Sequence, residues 1–426
     1  MLKRIFKHRS RRNQKYDIVA GPNSLPVSVS TDGDKSIFNV GVDGWSEGEK
    51  NELFAKAVKM SDMTVYEGHI EHAYSRRHAN QTNQCPRCGA DTRQQYGNFI
   101  YATQIAPLND ICVLNHKSIF QKGAPPVAPI AEITRRQGAL LELDKHNWPW
   151  SMMLVPVMGV DLFELSNNHV WRTEFAFSKF GLAPPDYMNI ETDEKGLTER
   201  GWIEYGFLNY YALLNCGFGL RPTAGTASGV HPVPLGFGRV YVRLKEGFDY
   251  KAWAQGLDEG RSFVTTGPML FVTVDGFEPG HTFKQAAGQE RAYKIAGTAQ
   301  SPHPLERIEI IVNGKVAETI KPENKLTSSG AYLSTINQTR QIKSTSWIAV
   351  RCFENRPDKR ARFAHTACFG IEVEGRPLRP RKEEIAFLIK RMEEQIARNK
   401  DVLGEQALEE YHKALRIYKN IAKAAQ

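Results

Sequence analysis

Three short stretches of the chain concentrate the side chains from which active sites are built. In "LELDKHNWPWS" an acid, an amine and an imidazole (Asp144, Lys145, His146) follow an apolar, strand-like run and precede two tryptophans. Carboxylate and imidazole are the usual donors to Zn2+ or Mn2+, and aromatic walls suit a small organic substrate. "DLFELSNNHVWRTEF" sets Glu164, Asn167, Asn168 and His169 behind a second apolar run, with Arg172 and Glu174 following. Paired amides before a histidine can orient a ligand or cap the next helix. "RPTAGTASGVHPVPLGFGRVYV" offers small residues from Thr223 to Gly229, where a ligand could approach bare backbone, and then His231 on a stiff segment before Pro232. Each cluster alone also has a structural reading: a charged loop, a helix cap, a histidine that only packs. Two of them ending neighbouring strands are more informative than either alone. Neither GxxxxGK[ST] nor GxGxxG occurs, so a nucleotide-binding loop is unsupported.

A fourth stretch points to metal of a different kind. "CPRCG" sets Cys85 and Cys88 two residues apart and turns them at Gly89, so both thiolates can face one tetrahedral Zn2+. No second CxxC follows. Cys112 and His116 in "ICVLNHK" are the nearby substitutes and would make a Cys3His set; the alternative is an orphan knuckle. His69 and His72 in "GHIEH" read as surface residues.

These residues need elements to position them. "SEGEKNELFAKAVKMSDM" opens with a capping box, Ser46 to Glu49, and carries an apolar stripe, which predicts a helix. "QKGAPPVAPI" (121–130) is proline-rich and reads as a boundary. From Ala131 the pattern becomes α/β: "AEITRRQG" is helical, "ALLEL" a strand, "LNYYALLNCGF" a helix and "GRVYVRL" a strand. Repeated helix–strand units with polar clusters at strand ends suggest a parallel sheet or barrel, whose sites gather at the C-terminal strand ends. Residues 270–375 change style. "LERIEIIVNGKVAETI" is a hairpin with Asn313–Gly314 as a type I′ turn, which predicts an antiparallel sandwich or inserted sheet. The C-terminal segment predicts two amphipathic helices, with Ile385, Leu388, Ile389, Met392 and Ile396 along one face of the first. A hairpin packed on the body is one use of that face and a homodimer contact is the other.

Composition narrows the classes. At 426 residues the chain has room for two or three domains, and 24% charged with 41% hydrophobic residues is ordinary globular composition. Seven of the first fifteen residues are Lys or Arg with no acid among them, so most of the net charge of +9 sits in that tail. The rest of the chain is close to neutral and makes no case for a nucleic-acid-binding body. No apolar run approaches the roughly 20 residues of a membrane span, and no signal-peptide core follows the basic start. Six cysteines with one close pair favour thiols or a metal site over disulfides. A cytoplasmic protein without membrane attachment is the resulting expectation.

"HNWPWS", "ELSNNHVWRTEF", "LLNCGFGLRPTAGTASGVHPVPLGFGRVYV" and "GRSFVTTGPML" together resemble the carbaryl-hydrolase-type (CehA/McbA) metallohydrolases of the PHP superfamily, over about residues 125–426. The resemblance implies a distorted β/α barrel with a metal site at the C-terminal strand ends, and hydrolysis of phosphoester, ester or carbamate bonds by a metal-activated water. It implies Asp144, His146, His169 and His231 as candidate holders of a divalent metal, zinc or manganese. Glu164 would assist proton transfer, and Arg221 or Arg239 would steady developing negative charge. The departures are the missing HxH strand and Ala227, which stands where a metal-binding aspartate is expected, so one metal rather than two is implied. Residues 60–106 look instead like the first half of a zinc ribbon.

The expected organisation is a basic tail (1–16), an N-terminal α+β region with the knuckle (17–120), a PHP-like core (121–270), an antiparallel β-domain (271–375) and a C-terminal helical hairpin (376–426). The leading functional expectation is a metal-dependent hydrolase of a small-molecule substrate. The alternatives are a non-catalytic relative that binds a ligand or partner through a degraded site and, more weakly, a nucleic-acid-associated zinc-ribbon protein.

Overall fold

The computed structural model describes residues 16–18, 27–32, 35–40, 103–104, 111–114, 126–144, 150–170, 184–194, 196–225, 237–245 and 248–426. The helix expected over residues 46–63, the knuckle residues Cys85, Cys88 and His116, and His146, Ala227 and His231 lie outside the described residues. The chain divides into two units: residues 1–142 with 226–237, and residues 143–225 with 238–426. The architecture is mixed α/β with several sheets, and among the described residues no sheet closes into a barrel. No described helix is long and apolar enough to cross a membrane.

In the first unit, β1 (Tyr16–Ile18), β2 (Val27–Asp32) and β3 (Lys35–Val40) form an antiparallel meander. β4 (Thr103–Gln104) pairs antiparallel with β5 (Ile111–Leu114), the strand that carries Cys112. The helix α1 (Ala128–Gln137) begins inside the proline-rich segment that the sequence marks as a boundary. Pro129 lies in its first turn, where an absent N–H leaves no helical bond unmade. Gly138 ends it in a left-handed conformation, and β6 (Leu140–Leu143) follows as "ALLEL" predicts.

The second unit is organised around one helix. A short α2 (Ser151–Leu154) leads to β7 (Leu162–Ser166), all five residues of which are buried. The two-residue strands β8 (Thr192–Asp193) and β9 (Gly196–Leu197) then precede α3 (Glu199–Asn215). Thr198 caps α3, its hydroxyl accepting from the Gly201 N–H at 3.0 Å. Trp202, Tyr205, Phe207, Tyr210, Tyr211 and Leu213 point to different sides of α3 and all are buried, the pattern of a helix enclosed by its own domain. β10 (Arg221–Ala224) runs parallel to β7 with Thr223 opposite Glu164, and a register shift then sets Ala224 opposite Ser166. Phe163 of β7 meets Tyr210 of α3 with ring centroids 5.2 Å apart.

The remaining strands are β11 (Arg239–Val242), β12 (Ser262–Thr265), β13 (Met269–Val274), β14 (Thr282–Gln285), β15 (Arg291–Ser301), β16 (Leu305–Val312), β17 (Lys315–Ile320), β18 (Lys325–Leu326), β19 (Tyr332–Ile342), β20 (Ser346–Glu354), β21 (Phe363–Thr366) and β22 (Phe369–Val373); α4 (Tyr250–Asp258) links β11 to β12. They make two sheets, ordered β11-β12-β21-β20-β16-β17, with β22 joining β20 to β14, and β13-β15-β19-β18. Ile308, Ile310, Val350 and Cys352 of the first share one core with Leu270, Val272, Ile295 and Ile336 of the second. Asn313 and Gly314 both have positive φ (48° and 78°), as the predicted type I′ turn requires.

Two expectations are corrected. β11 and β12, assigned by sequence to the 121–270 core, belong to the sandwich, because an alternating strand records that it has a buried face but not which sheet covers it. The β-domain is also not wholly antiparallel, since β14 and β22 pair in parallel.

The C-terminal helices α5 (Lys382–Asn399) and α6 (Glu405–Ala422) form as predicted. Ile385, Leu388 and Met392 are buried, while Ile389 and Ile396 are half-buried at the margin of the stripe. The hairpin packs on its own chain: the Tyr418 hydroxyl donates to the Met152 carbonyl at 2.6 Å, and Phe387 meets Tyr187 edge-on.

Where α3 meets the sandwich, His365 is fully buried. Its Nδ1 lies 2.7 Å from the Thr366 carbonyl and its Nε2 2.7 Å from the Tyr211 hydroxyl. A carbonyl only accepts, so Nδ1 carries the proton and Nε2 accepts from Tyr211. Burial pushes the imidazole pKa down to about 3, and nearby Arg351 pushes the same way. Arg351 itself is buried, donates to Glu309 at 2.6 Å and to Glu204 at 3.0 Å, and lies over Phe207.

Because the folded pKa lies below that of an unfolded histidine, the unfolded state binds the extra proton between about pH 6.5 and 3. His365 therefore contributes fully above pH 6.5, and its contribution falls as pH drops through that window. Urea titrations from pH 7 to 4 should show wild type losing about 1 kcal/mol more per pH unit than His365→Gln. Parallel slopes would show that the imidazole is not held neutral.

Candidate functional site

The clusters singled out by sequence lie at the C-terminal ends of β6 and β7. Asp144 directly follows β6, Glu164 is the third residue of β7, and His169 sits in a single 3-10 turn (Asn168–Val170) just beyond it. Asp144, Glu164, Asn167 and His169 are 5%, 4%, 1% and 7% exposed. Carboxylates are rarely so buried unless paired or bound to a cation.

Asn167 connects two of these positions. Its Oδ1 accepts the His169 backbone N–H at 3.0 Å, and its Nδ2 donates to the Asp144 carbonyl at 3.5 Å, the outer limit of a hydrogen bond. The first contact is an Asx turn that fixes the chain reversal after β7, continued by Val170 N–H to the Asn167 carbonyl at 3.1 Å. One amide thus holds the backbones of Asp144 and His169 on its two sides. The capping role offered by the sequence describes Asn167; the side chain of Asn168 lies outside the described residues. The His169 ring rests against Trp202 of α3, centroids 5.7 Å apart, a neighbour that no sequence signal identified.

The small-residue tract has an identifiable neighbour at its start. A Cβ on Gly225 would overlap Glu164 Oε1, so the group admitted to the backbone there is this protein's own carboxylate. The Gly225 N–H donates to the Ser166 carbonyl at 2.9 Å. From the other side Gly238 approaches so closely that a Cβ would stand 2.8 Å from the Gly225 carbonyl oxygen and 3.3 Å from that of Ser166. The run of small residues signalled a close approach; that Glu164 makes it depends on the β7–β10 register.

The two arginines are placed differently. Arg221 opens β10, at the end away from Gly225, and its guanidinium is engaged by Asp258 and by the Gly219 carbonyl at 2.7 Å. Arg239 opens β11 immediately after Gly238, and its guanidinium carbon lies 6.0 Å from the Tyr241 ring centroid. Among the described residues no group of three His, Cys, Asp or Glu side chains is arranged to hold a metal ion. The set expected from sequence is described only at Asp144 and His169, and the knuckle set only at Cys112, of whose side chain nothing is described.

The Glu164–Gly225 contact makes a test. Gly225→Ala should destabilise the protein by about 1–3 kcal/mol through overpacking, and by clearly less in a Glu164→Ala background. Equal costs in both backgrounds, from urea unfolding midpoints, would show that the carboxylate is not what requires glycine here.

A scan against protein-family models finds no match for this chain, and no curated protein and no solved structure matches it.

Proposed function

We propose that this protein is a metal-dependent hydrolase of ester, carbamate or phosphoester bonds, with a PHP-like core that includes β7 and β10. The observation that carries the reading is the burial of Asp144, Glu164 and His169 at strand ends joined by Asn167, within the segments that resemble the carbaryl-hydrolase type. Buried carboxylate and imidazole donors suit a divalent zinc or manganese ion, and the proposed set is Asp144 or His146 with His169 and His231. Such a metal, when bound, lowers the pKa of a water and polarises the scissile carbonyl or phosphoryl group.

The chain's own residues supply the rest. Glu164 takes the proton of the attacking water, a task suited to a carboxylate held against Gly225 away from bulk solvent. Asn167 keeps the backbones of Asp144 and His169 in fixed relation, limiting the motion that would otherwise cost orientation. Of the two arginines, Arg239 is the candidate for steadying developing charge, since the Arg221 guanidinium is committed to Asp258 and Gly219. Cys85, Cys88, Cys112 and His116 are proposed to hold a separate, structural zinc.

Metal analysis with a hydrolysis assay tests both sites. Wild type should retain zinc or manganese and hydrolyse aryl ester, aryl carbamate or aryl phosphodiester probes. His169→Ala should lose that ion and the activity, whereas Cys85→Ser should lose only zinc. Glu164→Gln should keep the ion and lower kcat by about 100-fold or more. An ion retained without turnover of any probe would make the protein a binding relative instead; no ion and no turnover in wild type would end the proposal.

A further inference from the structure

The turn between β16 and β17 carries chemistry that the hydrolase reading does not use. Asn313–Gly314 is the one Asn-Gly pair in the sequence. In this dipeptide the glycine main-chain nitrogen, with no Cβ beside it, can attack the asparagine Cγ. That nitrogen gives up its proton as the C–N bond to the side-chain amide breaks, and ammonia departs from a cyclic imide. Water, the only co-reactant, then opens the ring at either carbonyl to give aspartate or isoaspartate.

The fold holds Asn313 away from this reaction. Its Oδ1 accepts the Trp347 backbone N–H at 2.9 Å, and its Nδ2 donates to Ser346 Oγ at 3.2 Å. Its own N–H donates to the Trp347 carbonyl at 3.2 Å. These partners open β20, whereas the chain beyond Gly314 turns into β17, and β16 lies between the two strands. The Asn313 Cγ is therefore drawn toward β20, and attack by the Gly314 nitrogen requires those bonds to break. The Asn313 carbonyl accepts from Asn215 Nδ2 at 3.2 Å, and the same Nδ2 reaches the fully buried Glu384 at 3.0 Å. Contacts to β20, α3 and α5 thus close the turn together.

We propose that Asn313 is a deamidation site gated by this junction, and that its conversion to isoaspartate is a one-way latch. While the junction is closed the residue survives; when the turn opens, the imide forms. Isoaspartate routes the main chain through Cγ and leaves the former Asn313 carbonyl as a free carboxylate. On reclosing, that carboxylate shares Asn215 Nδ2 with the Glu384 carboxylate, and two like charges on one buried amide repel. The converted chain is left with the turn, α3 and the C-terminal hairpin less firmly joined. Ordinary aspartate keeps the main-chain carbonyl to which Asn215 donates and brings no second charge to that amide.

The test is ageing of the full chain in neutral buffer, folded or in denaturing urea, with peptide mapping that resolves asparagine, aspartate and isoaspartate at Asn313. Folded wild type should convert at least about tenfold more slowly than the unfolded chain, since attack waits for local opening. Ser346→Ala removes one bond from the side-chain amide. It should convert several-fold faster than wild type when folded, and at the wild-type rate in urea. Refolded isoaspartate protein should unfold at lower urea than the Asn313→Asp variant. Equal wild-type rates in both states, or a folded Ser346→Ala rate equal to that of wild type, overturns the gate. An isoaspartate form as stable as Asn313→Asp overturns the latch.

Discussion

The second unit hangs on the side-chain amide of Asn215. This residue closes α3 and is 2% exposed. Its Oδ1 accepts from the Trp347 indole N–H at 2.8 Å, and its Nδ2 reaches the Asn313 carbonyl at 3.2 Å and Glu384 Oε1 at 3.0 Å. Glu384 is fully buried and also accepts the Arg381 backbone N–H at 3.0 Å at the start of α5, as well as a bond from the Arg381 guanidinium. A buried carboxylate is tolerable only with such complete pairing, so helix, sandwich and C-terminal hairpin must meet in one arrangement or leave a charge unsatisfied. Gly314 belongs to the same constraint: a Cβ there would stand 3.0 Å from Cβ of Tyr211, so the turn can reach the amide only because it ends in glycine.

From that anchor α3 works in two directions. Toward β7 it presents Tyr210 and Trp202, which back Phe163 and the His169 ring. Toward the sandwich it presents Phe207 and Tyr211, which pack on Phe363 and His365. The candidate centre and the sandwich are thus held by opposite sides of one rigid element. Rigid backing of this kind keeps a strand-end cluster such as Asp144, Asn167 and His169 in place.

Local patterns were legible. Asn-Gly between alternating apolar runs dictates a type I′ hairpin because only that turn matches strand twist, and the apolar stripe of α5 matches the helical period. The candidate site was legible only as residue types. Asp144, Glu164 and His169 stood out because acids and imidazoles gathered behind apolar runs. Their actual neighbours were hidden: Trp202 behind His169 and Gly225 beneath Glu164 are fixed by helix docking and strand register, not by local spacing. The arginines show the same limit, since nothing in the sequence distinguished Arg221, held by Asp258, from Arg239, beside Tyr241.

By itself, then, the sequence determined the amphipathic period of the C-terminal helices, the turn at Asn313–Gly314 and the inventory of groups able to do chemistry. Only the tertiary structure decided which sheet receives β11 and β12, that Asn215 meets Glu384 at a separation of 169 residues, and that His365 is sealed against Tyr211. The reason is physical. Backbone preference and amphipathic period are properties of neighbours along the chain, whereas burial of a polar group is affordable only when a distant partner arrives to pair it, and that partner is chosen by packing of the whole unit.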